Sequence, residues 1–243
     1  MALKIFVDFD GTITREDVGN AFFRKYAGRE RYDEMLRAYL DERLSAQECF
    51  RRGIGAIGAL VRDEAAAFIR GHEIDQSFKG FVSFCAEKGI EFHVVSDGLD
   101  FYINEIFSAN DITGVSVFSN VLNFVPKDDQ PYCHLQIAFP HGDAECRRCA
   151  CCKRNILLTH AGDDDVIAYI GEGYSDRCPV RYSDIVFAKD TLQTFCQREN
   201  ISYYLYESFR DVTERLETLL SRKRLRKRVA AEMNRREAFM REP

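Results

Sequence analysis

The stretch "LKIFVDFDGTIT", residues 3–14, sets the reading of the whole chain. Leu3 to Val7 is an apolar run broken only by Lys4, and it gives way to Asp8, Asp10 and Gly11, with Thr12 close behind. A β-rich run that stops at an Asp-Gly turn signal reads as a buried strand. The period of two then points Asp8 and Asp10 to the same side of the sheet. Two carboxylates held side by side repel unless a cation or a proton lies between them, so the end of this strand is expected to carry chemistry.

Working outward, residues 15–76 turn helical: "VGNAFFRKYA", "RYDEMLRAYLDERLSAQECFRRGIGAIGAL" and "RDEAAAFIRG" repeat apolar residues at spacings of three and four. Beyond this block, "QSFKGFVSFCAEKG" predicts a helix ending at Gly89, and "IEFHVVS" a strand that stops at Ser96, just before Asp97 and Gly98. "DFYINEIFSAN" predicts another helix, and "GVSVFSNVLNFV" with "CHLQIAFP" the two strands of a small hairpin or flap. "CCKRNILLTHAG" begins a helix, and "DVIAYIGEG", "DIVFA" and "ISYYLY" are further strands, with helical sequence from Asp211 to the end. Strands alternating with helices predict an α/β fold built on a parallel sheet. The expected organisation is a core of residues 1–14 and 77–210, a helical insert over 15–76, and a helical, basic tail over 211–243.

In open parallel sheets, ligands sit beyond the carboxyl ends of the strands. Collecting the polar residues there gives Asp8, Asp10 and Thr12 after the first strand, Ser96, Asp97 and Gly98 after the second, and Glu172, Gly173 and Asp176 after the third. Lys153 starts the helix leading into that third strand. The set supplies a carboxylate nucleophile, a second acid to move a proton, a hydroxyl and a lysine for phosphate oxygens, and further carboxylates for a divalent cation. That is the equipment of phosphoryl transfer. Taken singly, each has a plain structural alternative: Asp-Gly pairs form turns, Ser96 can cap a helix, and Lys153 can be a solvated first-turn lysine.

In this order, "DFDGTIT", "VVSDG", Lys153 and "GEGYSD" resemble the four motifs of the haloacid dehalogenase superfamily, over residues 3 to about 205. The resemblance implies a Rossmann-like core with a cap inserted after the first motif, where the helical block lies. It further implies that Asp8 attacks phosphorus and that Asp10 protonates the leaving oxygen and then deprotonates water. Ser96 and Lys153 would hold phosphoryl oxygens. Mg2+ would sit among Asp8, the Asp10 carbonyl and Glu172, with Asp176 holding bound water. An acid two residues past the nucleophile suits phosphate monoesters. The fourth motif commonly reads Gly-Asp where this chain has Gly171 and Glu172, and the extra methylene shifts the carboxylate by about 1.5 Å.

"PHGDAECRRCACCK", with "SDGLDFYI" and "GYSDRCP", narrows the likeness to the methionine-salvage phosphatase branch and to the phosphoserine and phosphoethanolamine/phosphocholine phosphatases. The implied substrate is a small phosphorylated metabolite, first of all the salvage enol or diketo phosphate. Selection is expected from Glu16, Asp17 and Asn20, with Phe22 and Phe23 either covering an apolar tail or forming cap core. Cys146, Cys149 and Cys152 allow three readings: reduced thiols, a structural Zn2+ with His141 or Cys133, or a disulfide.

At 243 residues, the chain is long enough to bury roughly 70 to 75% of its unfolded surface in one sizeable core. Nine cysteines with no secretory signal or long apolar span favour a reducing, cytoplasmic setting and no membrane partner. Residues 221–243 hold nine Lys/Arg against three Glu, which leaves the rest at −11. An acidic body disfavours nucleic acid as a partner. The tail reads as a solvated helix, a homodimer or partner helix, or a contact to something anionic. A scaffold that binds through this tail, and a phosphotransferase using an acceptor other than water, are the rival functions.

Overall fold

A computed structural model describes residues 2–127 and 130–241, apart from the side chains of Phe239 and Arg241. Met1 and the last two positions of the expected tail, Glu242 and Pro243, lie outside the described residues. Backbone contacts divide the chain into two compact units, one of Met1–Ile13, Ile74–Val95 and Lys153–Pro243, the other of Thr14–Glu73 and Ser96–Cys152. The helical block expected at 15–76 thus shares its unit with residues 96–152.

The first unit is a parallel α/β layer. Strand β1 (Leu3–Val7) lies between β3 (Glu91–Leu99) and β6 (Val166–Gly171), and β7 (Ile185–Ala188) and β8 (Tyr204–Leu205) continue outward from β6. Every residue of β6 is buried, as the unbroken apolar run of a strand covered on both faces requires. Val7 is in register with both Val94 and Ile170, so the carboxyl ends of the three central strands align. β3 runs on through Ser96, Asp97 and Gly98 to Leu99, longer than its sequence predicts. The Ser-Asp-Gly turn signal yields here to strand pairing.

Helix α5 (Phe78–Lys88) ends where expected: Gly89 takes a left-handed cap at φ +62°, a conformation that costs glycine little. It packs against α9 (Phe209–Leu220) through aromatic rings, with Phe78 and Phe209 4.8 Å apart and Phe81 and Phe209 5.1 Å apart. The first turn of α9 is held from far away in sequence, because Phe209 N donates to Asp75 Oδ2 (3.2 Å) and Arg210 N to Ser77 Oγ (3.0 Å). Helices α7 (Lys153–His160) and α8 (Asp190–Arg198) complete the crossovers.

The helix predicted without a break from Asp211 is two helices, α9 and α10 (Val229–Arg241), with residues 221–228 non-helical between them. Six basic residues in eight repel one another in a helix, and Arg228 is drawn off to Ser183 O (3.1 Å) and to Val180 O.

The second unit holds α1 (Val18–Phe23), a π-helical turn at Arg24–Gly28, α2 (Arg29–Leu40), α3 (Ala46–Ile57), α4 (Arg62–Arg70) and α6 (Asp100–Ala109). Its strands β2 (Ala59–Leu60), β5 (Cys133–Ala138) and β4 (Ser116–Pro126) pair antiparallel in that order. The β4–β5 hairpin is the expected one, whereas β2 arises inside a stretch that reads as helix. Phe22 and Phe23 are both buried in this unit, Phe23 stacking on Tyr32 at 5.1 Å. Among the described residues, no helix is long and apolar enough to cross a membrane.

Candidate active site

β1 ends at Val7, and Asp8 N extends its ladder by donating to Ile170 O of β6 at 2.9 Å. The Asp8 backbone is therefore fixed by pairing to a buried strand. From there the chain winds: Thr12 N and Ile13 N both donate to Phe9 O, and Gly11 turns through φ +69°. The period-two argument for Asp10 stops at Asp8, since Asp10 sits in the turn.

Lys153, the first residue of α7, is fully buried and bridges two acids, with Nζ 2.6 Å from both Asp8 Oδ1 and Asp176 Oδ1. Its ammonium also donates to Ser175 Oγ at 3.1 Å. Asp176, 0% exposed, collects three more donors: Tyr169 OH (2.5 Å), Glu172 N (3.0 Å) and Gly173 N (2.9 Å). The bend after β6 is thus wrapped around one carboxylate. Thr12 Oγ1 lies 3.5 Å from Asp8 Oδ2, too long for a strong bond.

Burial raises the Asp8 pKa well above the usual carboxylate range, and Asp176 adds to the rise while Lys153 opposes it. One ammonium does not neutralise this pocket of acids. Burial, with Asp176 beside it, likewise raises Tyr169, which stays a phenol and can only donate toward that carboxylate. Tyr206, buried after β8, gives its hydroxyl to Gly171 O at 3.3 Å.

Glu172 reaches back toward the first turn. A Cβ placed on Gly11 would fall 3.2 Å from the Glu172 carboxyl carbon and Oε1. The bare Gly11 leaves the longer side chain room that a Cβ would narrow by a few tenths of an ångström.

Ser96, Asp97 and Gly98 belong to the second unit. Ser96 Oγ accepts from Gly98 N at 2.9 Å, and Asp97 Oδ1 accepts from Ala150 N (3.1 Å) and Cys151 N (2.9 Å). Asp97 therefore ties down the cysteine-rich loop that runs into Lys153. In the same unit, Asp17 caps α1 through Asn20 N (2.7 Å), Tyr32 OH donates to Asn20 Oδ1 (2.8 Å), and Glu16 is exposed.

The Zn2+ reading of Cys146, Cys149 and Cys152 gains no support from the thiol geometry: among the described residues, no three His, Cys, Asp or Glu groups stand gathered for a metal ion, at these cysteines or elsewhere. Cys146 Sγ lies 3.3 Å from Cys149 Sγ, and all nine cysteines are free thiols. The sulfurs satisfy one another by hydrogen bonding, which pulls Cys146 down in pKa and pushes Cys149 up.

Three residues of the cluster escape a reading of strand ends: Tyr169, Ser175 and Tyr206. Tyr169 carries a signal, being the one side chain with a polar tip in the buried run "VIAYIG", where a phenol hydroxyl needs a partner. Ser175 lies within the quoted "GEGYSD" stretch without being singled out there, and nothing in the sequence marks Tyr206.

An aspartate at the end of the central strand of a parallel sheet, bound to a buried lysine, is the architecture of an aspartate-based phosphohydrolase. The chain belongs to the phosphatases of the haloacid dehalogenase superfamily: a family model described as Putative Phosphatase matches residues 3–203. Among curated proteins it is 31% identical over 225 residues to the 2-hydroxy-3-keto-5-methylthiopentenyl-1-phosphate phosphatase of Exiguobacterium sibiricum, covering 90% of this chain and 98% of that one. The protein of the same name from Bacillus cereus is 30% identical over 231 residues, with the same shares covered.

Solved structures agree on the fold. A phospho-aspartyl intermediate analogue of phosphoserine phosphatase superposes with a TM-score of 0.66 at 16% identity, covering 88% of this chain and 98% of that chain. The phosphoserine phosphatase of T. onnurineus gives 0.63 at 15% identity, covering 89% and 95%.

Proposed function

We propose that this phosphatase hydrolyses the phosphate ester of 2-hydroxy-3-keto-5-methylthiopentenyl-1-phosphate through an aspartyl-phosphate on Asp8. The observation that carries the chemistry is the buried Asp8–Lys153–Asp176 bridge. The substrate rests on the curated relatives, whose names state it and whose full length this chain spans.

Lys153 holds the Asp8 carboxylate in one orientation and faces the negative charge that accumulates as the phosphoryl group arrives. Asp8 attacks phosphorus. Asp10, outside the ladder and in the turn, gives a proton to the leaving oxygen, then takes one from the water that cleaves the aspartyl-phosphate. Asp176 has its oxygens engaged by four protein donors, and we assign it to positioning: it fixes Lys153 and the backbone at residues 172–173.

The oxygen donors Asp8 Oδ2, the Asp10 carbonyl and the Glu172 carboxylate would hold Mg2+, which keeps several waters and needs only one or two carboxylates. They fit it chemically, being hard oxygen donors, and Glu172 reaches the Gly11 turn that follows Asp10. When bound, the cation supplies charge stabilisation to the transferring phosphoryl oxygens. The free thiols agree with a cytoplasmic, reducing setting.

The test is phosphate release, with and without Mg2+, from the salvage phosphate, phosphoserine, phosphoethanolamine, phosphocholine and an aryl phosphate. The expected result is a preference for the salvage phosphate that disappears in Asp8→Asn. A preference for phosphoserine would overturn the substrate and keep the mechanism, and turnover surviving in Asp8→Asn would overturn the mechanism.

A further inference from the structure

The basic segment 221–228 lies beyond the family match, which ends at residue 203, so the hydrolytic reading leaves it unexplained. Within the first unit it borders a cavity of about 1210 Å³ whose other walls include Asp184, Ile185 and Tyr204. Ile185 begins β7 and Tyr204 begins β8. The cavity is therefore at the amino ends of the parallel strands, while Asp8 and Glu172 follow their carboxyl ends. The two sites occupy opposite edges of one sheet.

Five basic residues line it: Arg222, Lys223, Arg224, Arg226 and Lys227. Their neighbours show what a structural arginine looks like here. Arg228 and Arg235 are tied to the backbone oxygens of Ser183 (3.1 Å) and Tyr182 (2.5 Å), and they hold the segment in place. Lys227 donates to Asp163 O. By contrast, Arg222, Lys223, Arg224 and Arg226 are exposed, and among the described residues their side chains meet no carboxylate.

The acids on the same wall do not cancel them. Asp184 Oδ1 is taken by Arg228 N (3.0 Å) and Arg235 Nη2 (3.1 Å), and Glu232 pairs with Arg236 at 2.9 Å. Of the acids lining the wall, Asp164 alone is left against five cations, since the carbonyl that Lys227 meets does not neutralise its ammonium, and the wall keeps about four positive charges. In an otherwise acidic protein, such a concentration of like charge is unfavourable unless an anion shares it. The cavity exceeds the roughly 300–1,000 Å³ typical of small-ligand sites, and arginine forks match phosphate oxygens two at a time.

We propose that this cavity binds a condensed phosphate chain, either free polyphosphate or the phosphate tail of a nucleotide. A chain of three phosphates, with about four negative charges, balances the net charge that the five cations keep against Asp164; a single phosphate does not. Tyr203, also in the wall, offers a ring to a base in the second case.

Calorimetric titration of the full chain in metal-free buffer keeps the hydrolytic edge silent. The probes are inorganic tripolyphosphate, β,γ-imido-ATP, orthophosphate and a short RNA. The expected result is one tripolyphosphate per chain, weakened at least tenfold by the pair Arg224→Ala and Arg226→Ala and by raised salt, with orthophosphate far weaker. Both substituted side chains are exposed, so Mg2+-dependent turnover of the double variant should equal that of the parent. Imido-ATP binding tenfold tighter than tripolyphosphate, and losing that margin in Tyr203→Ala, assigns the site to nucleotides; equal affinity assigns it to polyphosphate. The proposal is overturned if tripolyphosphate gives no saturable binding, if the double variant binds it as well as the parent, or if RNA binds where tripolyphosphate does not.

Discussion

At the scale of single residues, the site turns on who donates to whom. Tyr169 reaches the reacting carboxylate only through Asp176 and Lys153, which makes it a positioning residue. A hydrogen bond to a charged group contributes about 1.5–3 kcal/mol, so Tyr169→Phe is expected to lower kcat by about 10- to 100-fold. KM should change little, and steady-state kinetics separates the two. On the mechanism proposed above, Asp8→Asn should cost on the order of 10³-fold or more in turnover. The sequence made Asp8, Lys153 and Asp176 legible because each stands at an element boundary where polarity follows an apolar run. It hid Tyr206, whose role depends on where β8 lands, and it held Ser175 within "GEGYSD" without showing that the chain after β6 curls this hydroxyl onto Lys153.

At the scale of elements, the strands and helices of the parallel layer were readable, because fully buried strands and amphipathic helices leave strong patterns. The misreadings have physical reasons. β2 is only two residues long, and pairing with β5 rather than propensity makes it a strand. The break before α10 comes from side-chain capture by distant carbonyls. Helix α9 shows the same dependence on remote partners, and its own start is set by Asp211, whose Oδ2 accepts from Glu207 N (2.9 Å) and Ser208 N (2.9 Å). Those bonds hold the Asp211 pKa below the usual value. The stabilisation is therefore present above the unfolded-state value, near 3.9, and is lost as pH falls through the lower, folded one. Asp211→Ala should cost about 1 kcal/mol at pH 7 and almost nothing once the group is protonated in both states. Urea midpoints compared at neutral and strongly acidic pH give the answer.

At the scale of the whole molecule, the tail is not an appendage. Arg235, 9% exposed, meets the fully buried Asp184 carboxylate, which also accepts from Ile167 N of β6 at 3.0 Å. Removing one partner of a buried pair strands the other, at a cost of about 3–5 kcal/mol. Arg235→Met should accordingly lower the thermal midpoint clearly, whereas Arg224→Ala and Arg226→Ala should leave it in place. If Arg235→Met melts with the parent, the tail is merely resting on the sheet. The charge asymmetry that the sequence displays is thus divided in the fold: some arginines serve as rivets, others stay open to an anion.

The contact between Gly11 and Glu172 has a consequence for what the first turn tolerates. Glu172 lies against the open face of Gly11, where an added Cβ would come within 3.2 Å of its carboxyl, so the flexible tip of the acid would have to give by a few tenths of an ångström. A side chain at position 11 would thus meet two obstacles of unequal weight: the Glu172 tip, which can swing aside, and a left-handed backbone at φ +69°, which no change at position 172 relieves.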